Sequence, residues 1–282
     1  MKSLITYITE KLKITKDNSY KYFPKTKEEL KDLLNQLIKE RGNDGDFNDI
    51  DTSQITNMSY LFYEMKEFNG NISDWDVSNV TNMNHMFHKC SKFNQPLNDW
   101  NVSKVEYMQS MFNWCKSFNQ PLNDWNVSNV EYMCTMFNGC ESFNQDISNW
   151  NVSKVTKMDN MFNGCISFNQ PLNDWNVSKV INMFFMFNGC RSFNQPLNDW
   201  DVSNVTAMAH MFHDCESFNQ PLNDWNVSKV TDMGGMFWGC TSFNQDLSKW
   251  HMKNVETMHY IFKDCPIEQK YRPKNLSLYK KE

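Results

Sequence analysis

At 282 residues, the chain combines 22% charged with 40% apolar residues and carries a formal net charge of −5. That balance suits a folded protein and offers no attraction to phosphate backbones or anionic membranes, so nucleic-acid binding is not expected. No stretch approaches the roughly 18 apolar residues of a membrane span, so membrane insertion is not expected either.

The chain opens with "MKSLITYITEKLKITKDN", whose short apolar patch is soon interrupted by Glu10 and Lys11. Without a small-residue cleavage site it makes a poor export signal, and the sequence as it stands is expected in the cytoplasm. A helix is well signalled in "PKTKEELKDLLNQLIKERGN". Thr26 and Glu29 form a capping box, Leu30, Leu33, Leu34, Leu37 and Ile38 form one stripe, and Gly42 ends it. Residues 1–42 therefore read as a helical cap whose stripe covers the open edge of the first coil of a repeat array. Asp44, Asp46, Asp49 and Asp51 lack the full spacing of a calcium loop and read as a turn.

A segment beginning "FNQPLNDWNV" then recurs with a fixed interval. Copies start at Phe68, Phe93, Phe118, Phe143, Phe168, Phe193, Phe218 and Phe243, each 25 residues after the last, so eight repeats fill 68–267. A partial copy over 43–67 places Ile50, Ile55, Met58, Phe62 and Met65 on the same columns. A period of 25 falls within the range of leucine-rich-repeat solenoids. Within a copy, "LNDWNV" alternates as a short parallel strand would, with Leu97, Trp100 and Val102 around a polar outer face. From Val105 the spacing turns helical: Val105, Met108, Met111, Phe112 and Cys115 share one stripe. Ser103 would cap that helix, and Gly139, Gly164, Gly189 and Gly239 would end it. The reading is a stack of about nine coils over 43–267, each a strand plus a short helix, and a fraying basic tail over 268–282.

The columns in "FNQPLNDWNVSNVEYMCTMFNGC", Phe118 to Cys140, resemble the BspA-like leucine-rich repeat family of bacterial-type surface and host-interaction proteins. The resemblance spans about 43 to 267. It implies a right-handed solenoid, a non-enzymatic role in binding, often adhesion, and a place at the cell surface.

Eight of the nine cysteines, Cys90 to Cys265, occupy one column. A line of thiols does not make the tetrahedron zinc needs, so a reduced, buried ladder is expected. Cys134 lies off that column as the most reactive thiol. The pairs His85/His88 and His210/His213 read as surface histidines five coils apart, too far to share a metal. Triplets such as Asn101-Val-Ser103 follow from the period. No nucleophile–base pair, phosphate loop or cofactor site is visible, so neither enzyme activity nor a cofactor is expected.

Binding is expected on the outward side of the helical segment, which varies between copies. Large apolar side chains stand there at Tyr107, Trp114, Tyr132, Ile181, Phe184, Phe185 and Trp238. Ile181, Phe184 and Phe185 at i, i+3, i+4 would form one patch, which suits a protein partner such as a host protein. Self-association through the patch is the alternative. A third reading has the uniform strand positions, Asn101, Asn126, Asn151, Asn176 and Asn226 with their serines, as a polar ladder for a repetitive ligand such as a glycan.

Overall fold

The structure, a computed structural model, describes residues 20–274. The expected leader reading and residues 275–282 of the tail lie outside the described residues.

Helix α1 spans Lys27–Arg41. Half of its capping box forms as expected: Thr26 Oγ1 accepts from the Glu29 N–H at 3.2 Å, while the Glu29 carboxylate reaches one residue beyond the cap and accepts from the Lys25 N–H at 2.7 Å. Leu30, Leu34 and Leu37 are wholly buried in the same apolar cluster as Met58 and Phe62 of the first coil. Arg41 donates to both carboxylate oxygens of Asp49, at 2.7 and 3.0 Å. The acidic segment thus ties α1 to the first coil, and Asp46 and Asp51 accept local backbone N–H groups as turn residues do.

Beyond α1 the chain makes nine 25-residue coils, beginning at residues 43, 68, 93, 118, 143, 168, 193, 218 and 243. The same columns are buried in nearly every coil: in the coil from Phe93 these are Phe93, Leu97, Trp100, Val102, Val105, Met108, Met111, Phe112 and Cys115. Successive rings stack at 5.3 to 5.8 Å from Phe62 through Phe87 and Phe112 to Phe262. Burial is therefore as the sequence implies. The local structure is not.

No helix forms from Val105, and "LNDWNV" is not a strand. The coil is instead a succession of tight turns, closed by N–H groups of Trp100, Val105, Met111, Asn113 and Cys115 donating to the carbonyls three residues back. The buried residues sit at the ends of these turns. Three-residue closures return side chains to one side at intervals of three, so the turns reproduce the spacing of a helical stripe. Ser103 does not cap a helix; its N–H donates to Asn101 Oδ1 at 3.2 Å.

What prevents a helix is the destination of the backbone N–H groups. Those of Met83, His85, Phe87 and Lys89 donate to Tyr107, Gln109, Met111 and Asn113 in the next coil, at 2.7 to 2.9 Å. All but one of the corresponding bonds recur up the stack, Met108 being the donor without one. Parallel bridges run from Asn57 through Asn82, Tyr107, Tyr132 and onward to Thr257. Inter-coil pairing is parallel as expected, but it lies in the segment read as helix. Two residues per coil must then adopt positive φ. Ser110 and Trp114 do so at 54° and 62°, and their equivalents follow suit from Tyr60 and Glu64 to Tyr260 and Asp264. The glycines read as helix ends, Gly139, Gly164, Gly189 and Gly239, fill the second of these positions, where a turn with positive φ at its third residue favours glycine.

After the last coil the tail does not fray at once. Leu247 donates to the Tyr271 carbonyl at 2.8 Å, and the Arg272 guanidinium lies 5.5 Å from the centre of the Phe262 ring. Residues 268–272 thus cover part of the last coil.

Candidate functional site

The first half of each coil has its side chains committed. The Asn119 N–H donates to Asn94 Oδ1 at 2.9 Å, and the same bond links Asn144, Asn169, Asn194, Asn219 and Asn244 in turn. Gln120 adds a bond to the Asn94 carbonyl, and Trp125 Nε1 donates to Leu97 O one coil back. Each buried cysteine from Cys90 to Cys240 donates its S–H to the phenylalanine carbonyl 28 residues earlier. Burial pushes these thiols up, Cys90 to about 12, so they are poor nucleophiles. Cys265 is an exception, only half-buried and bonded to Phe243 instead. Asn101, Asn126, Asn151 and Asn176 bond to their own serine N–H groups. The polar ladder therefore runs up the Asn94 column, half-buried, and not up the Asn101 column.

The second half is joined by main chain, which leaves its outward side chains free to vary. Between Phe168 and Asp264 these form a continuous aromatic strip. Phe184 meets Phe185 edge-on at 4.2 Å, Phe185 stacks on His210 at 4.6 Å, and His210 lies 5.3 Å from His213. His213 stacks on Trp238 at 4.8 Å, Trp238 lies 5.5 Å from Tyr260, and the Lys263 ammonium sits 4.3 Å above the Trp238 ring. Gly235 makes room for the His210 ring: a Cβ there would fall 2.5 Å from it. Acidic groups flank the strip. Asp264 accepts from Trp238 Nε1 at 3.2 Å, and Asp214 lies 3.6 Å from His213 Nε2.

A second cluster occupies the same columns at the other end of the stack. Tyr60 stacks on His85 at 4.6 Å and Tyr63 on His88 at 4.8 Å. Beside it a shallow hollow of about 300 Å³ is lined by Lys66, Lys89, Ser91, Trp114 and Lys116. Burial lowers the pKa of His85, His88 and His210, which favours their neutral rings. These histidines are half-buried members of ring stacks and not free surface groups.

The expected site residues divide. Tyr107, Trp114 and Ile181 are exposed, while Tyr132, Phe184, Phe185 and Trp238 are half-buried. Tyr107 and Tyr132 stack at 6.2 Å, away from the strip's chain of ring contacts. The patch of Ile181 with Phe184 and Phe185 rested on helical spacing, and no helix forms. Phe184 and Phe185 join the histidines instead. Cys134 is half-buried with its thiol raised by burial, a weaker nucleophile than an exposed one. Tyr60, Tyr63, His210, His213, Tyr260 and Lys263 were missed, although aligning the copies at 25 residues places them all on two columns. Among the described residues no cluster of three or more metal-ligating side chains occurs, and no helix is long and apolar enough to cross a membrane.

Identical inward columns and inter-coil bonds define a repeat protein. The family described as Mycoplasma protein of unknown function, DUF285, matches residues 30–133, 121–206 and 175–273, and the chain belongs to it. No curated protein matches the chain.

Proposed function

We propose that this repeat protein is a non-enzymatic scaffold that recognises a protein partner through the aromatic strip running from Phe184 to Lys263. One observation carries the reading: the uninterrupted ring contacts lie on columns released from structural duty, because the main chain there joins the coils. Aromatic rings are strong anchors at protein interfaces. The sequence resemblance to BspA-like repeats extends the proposal to a right-handed solenoid, an adhesive role and the cell surface.

The test is capture of partners on the immobilised protein, compared with Phe184→Ser combined with Phe185→Ser. The pair is expected to abolish capture while costing about 1–2 kcal/mol of thermal stability, since both rings are only half-buried. Asn176→Ala with Ser178→Ala on the opposite half of the coil should spare it. Loss of capture in the Asn/Ser variant alone would favour a repetitive, glycan-like ligand instead.

A further inference from the structure

One joint in the first half of the coils is missing. The Asn98 side chain bridges to the next coil: its Nδ2 donates to the Asp124 carboxylate at 2.6 Å, and its Oδ1 accepts from the Asp124 N–H at 3.0 Å. Asn173 repeats this pair of bonds with Asp199, and Asn198 with Asp224. On the same column, below Asp174, stands Ser148. Its side chain is too short to bridge, and among the described residues neither the Asp174 N–H nor the Asp174 carboxylate has a hydrogen-bond partner. The fold does not ask for serine there. In the first coil Asp46 accepts from the Asn48 N–H at 2.8 Å, as Asp146 does from the Ser148 N–H at 2.9 Å, and Asn48 still reaches the Asp74 N–H at 2.9 Å.

The missing carboxamide leaves a hollow of about 470 Å³, within the ~300–1,000 Å³ of small-ligand sites. Trp150 and Val152 form its floor, and Asn149, Asn151, Asp174 and Asn176 stand around it. Turn bonds hold two of these side chains in place: Asn151 Oδ1 accepts from the Ser153 N–H and Asn176 Oδ1 from the Ser178 N–H, each at 3.2 Å. Their Nδ2 groups are left as positioned donors. Asn149 Nδ2 donates to the Asn123 carbonyl at 2.8 Å, which leaves its Oδ1 as an acceptor. The rim therefore mixes unspent donors and acceptors over an apolar floor, with a single carboxylate among them.

We propose that this hollow binds one hexose unit of a neutral glycan. A hydroxyl group both donates and accepts, so two adjacent sugar hydroxyls can take the Asp174 carboxylate and N–H that a carboxamide takes elsewhere in the stack. The remaining hydroxyls meet Asn149, Asn151 and Asn176, and the C–H face of the ring lies against the floor. A carboxamide from a peptide would satisfy Asp174 and leave the rest of the rim unmet. Ser73 opens the same gap below Asp99, but Asp74 and Asp76 stand there in place of the asparagines, and three carboxylates offer a neutral sugar few donors. The site lies on the other half of the coil from the aromatic strip and does not rest on the scaffold reading.

Saturation-transfer NMR of the full chain with the methyl glycosides of glucose, galactose and mannose tests the proposal. At least one should bind saturably in the millimolar range. Ser148→Asn should weaken that binding roughly tenfold or more, because the stack's own carboxamide then occupies Asp174, and its thermal melt should match the native one. Asp174→Ala should weaken it as much, and Asp99→Ala at the other gap should leave it unchanged. Asp174→Ala carries the test by itself if Ser148→Asn melts early. Binding that survives both changes, or no saturable signal from any of the three sugars, would overturn the proposal. So would a response to N-acetylasparagine alone, lost in Ser148→Asn, which would assign the gap to a peptide side chain. Protein capture through Phe184 and Phe185 should be indifferent to all three variants, so either site can fail without the other.

Discussion

The two halves of each coil meet their neighbours through different chemistry. In the first half, side chains make the joints: Asn94 to the next coil's N–H, Gln120 and Trp125 to carbonyls one coil back. In the second, main chain meets main chain, as from His85 to Gln109 and from Phe87 to Met111. A joint made by a side chain requires that side chain in every copy, so "FNQ" and its tryptophan recur. A main-chain joint asks nothing of the outward residue, so the column through His85 can hold Ser110, Thr135, Asn160 or Phe185. Sameness in this chain reports structural duty. Variation reports the surface left over for recognition.

Changes in the second half should be tolerated only outside the inward columns. Met183→Asp breaks that limit: it sets a carboxylate against wholly buried Val180, Met186 and Phe187, at a cost of several kcal/mol. Tryptophan fluorescence should show the cooperative melt lost or moved far down. An unchanged melt would refute the inward assignment. A smaller effect separates the two asparagine columns in the first half. Asn144→Ala removes the acceptor of the Asn169 N–H and Gln170 Nε2, and should cost about 1–3 kcal/mol in denaturant unfolding. Asn151→Ala removes only a local turn bond at an exposed site and should stay within about 0.5 kcal/mol. Equal costs would erase the distinction between joint and ornament.

The smallest effect is pH-dependent and confined to the second half. His85, His88 and His210 have folded pKa values below the ordinary 6.5, so the unfolded chain takes up protons first as the pH falls. Stability from these groups is fully present above about pH 6.5 and declines as the solution is acidified below it. Replacing His85 and His210 with Phe keeps the ring stacks and should flatten the melting temperature between pH 7 and 5. A slope unaltered by the change would assign it to carboxylates instead.

Much of this was legible in the chain itself. The period, the inward columns and α1 follow from spacing and capping, because burial at Val105, Met108 and Phe112 needs only a repeating side. Turn ends and helix faces both return at intervals of three, so the same residues could not say which structure carried them. The destination of the His85 and Phe87 N–H groups lies 24 residues away, beyond the reach of local pattern. Asparagine fills the Asn94 column in all eight copies and the Asn101 column in five, and only geometry tells the local bond from the inter-coil one. The strip escaped notice for a related reason: Phe185, His210 and Trp238 become neighbours across coils and not along one.

The unbroken 25-residue period makes the stack a ruler. Each coil presents the same donors upward and the same acceptors downward, so excising residues 143–167 would join Ser142 to Phe168, the junction already used between other coils. Thr135, which now donates to Asp159, would meet Phe184 in its place, and every inward column would close over the gap. The two aromatic ends would move nearer by one coil, about 4.8 Å, with neither altered in composition. Duplicating that coil would part them by as much. Distance between recognition elements is thus counted in whole repeats, and it can be lengthened or shortened by a simple gain or loss of sequence without a new core having to be found.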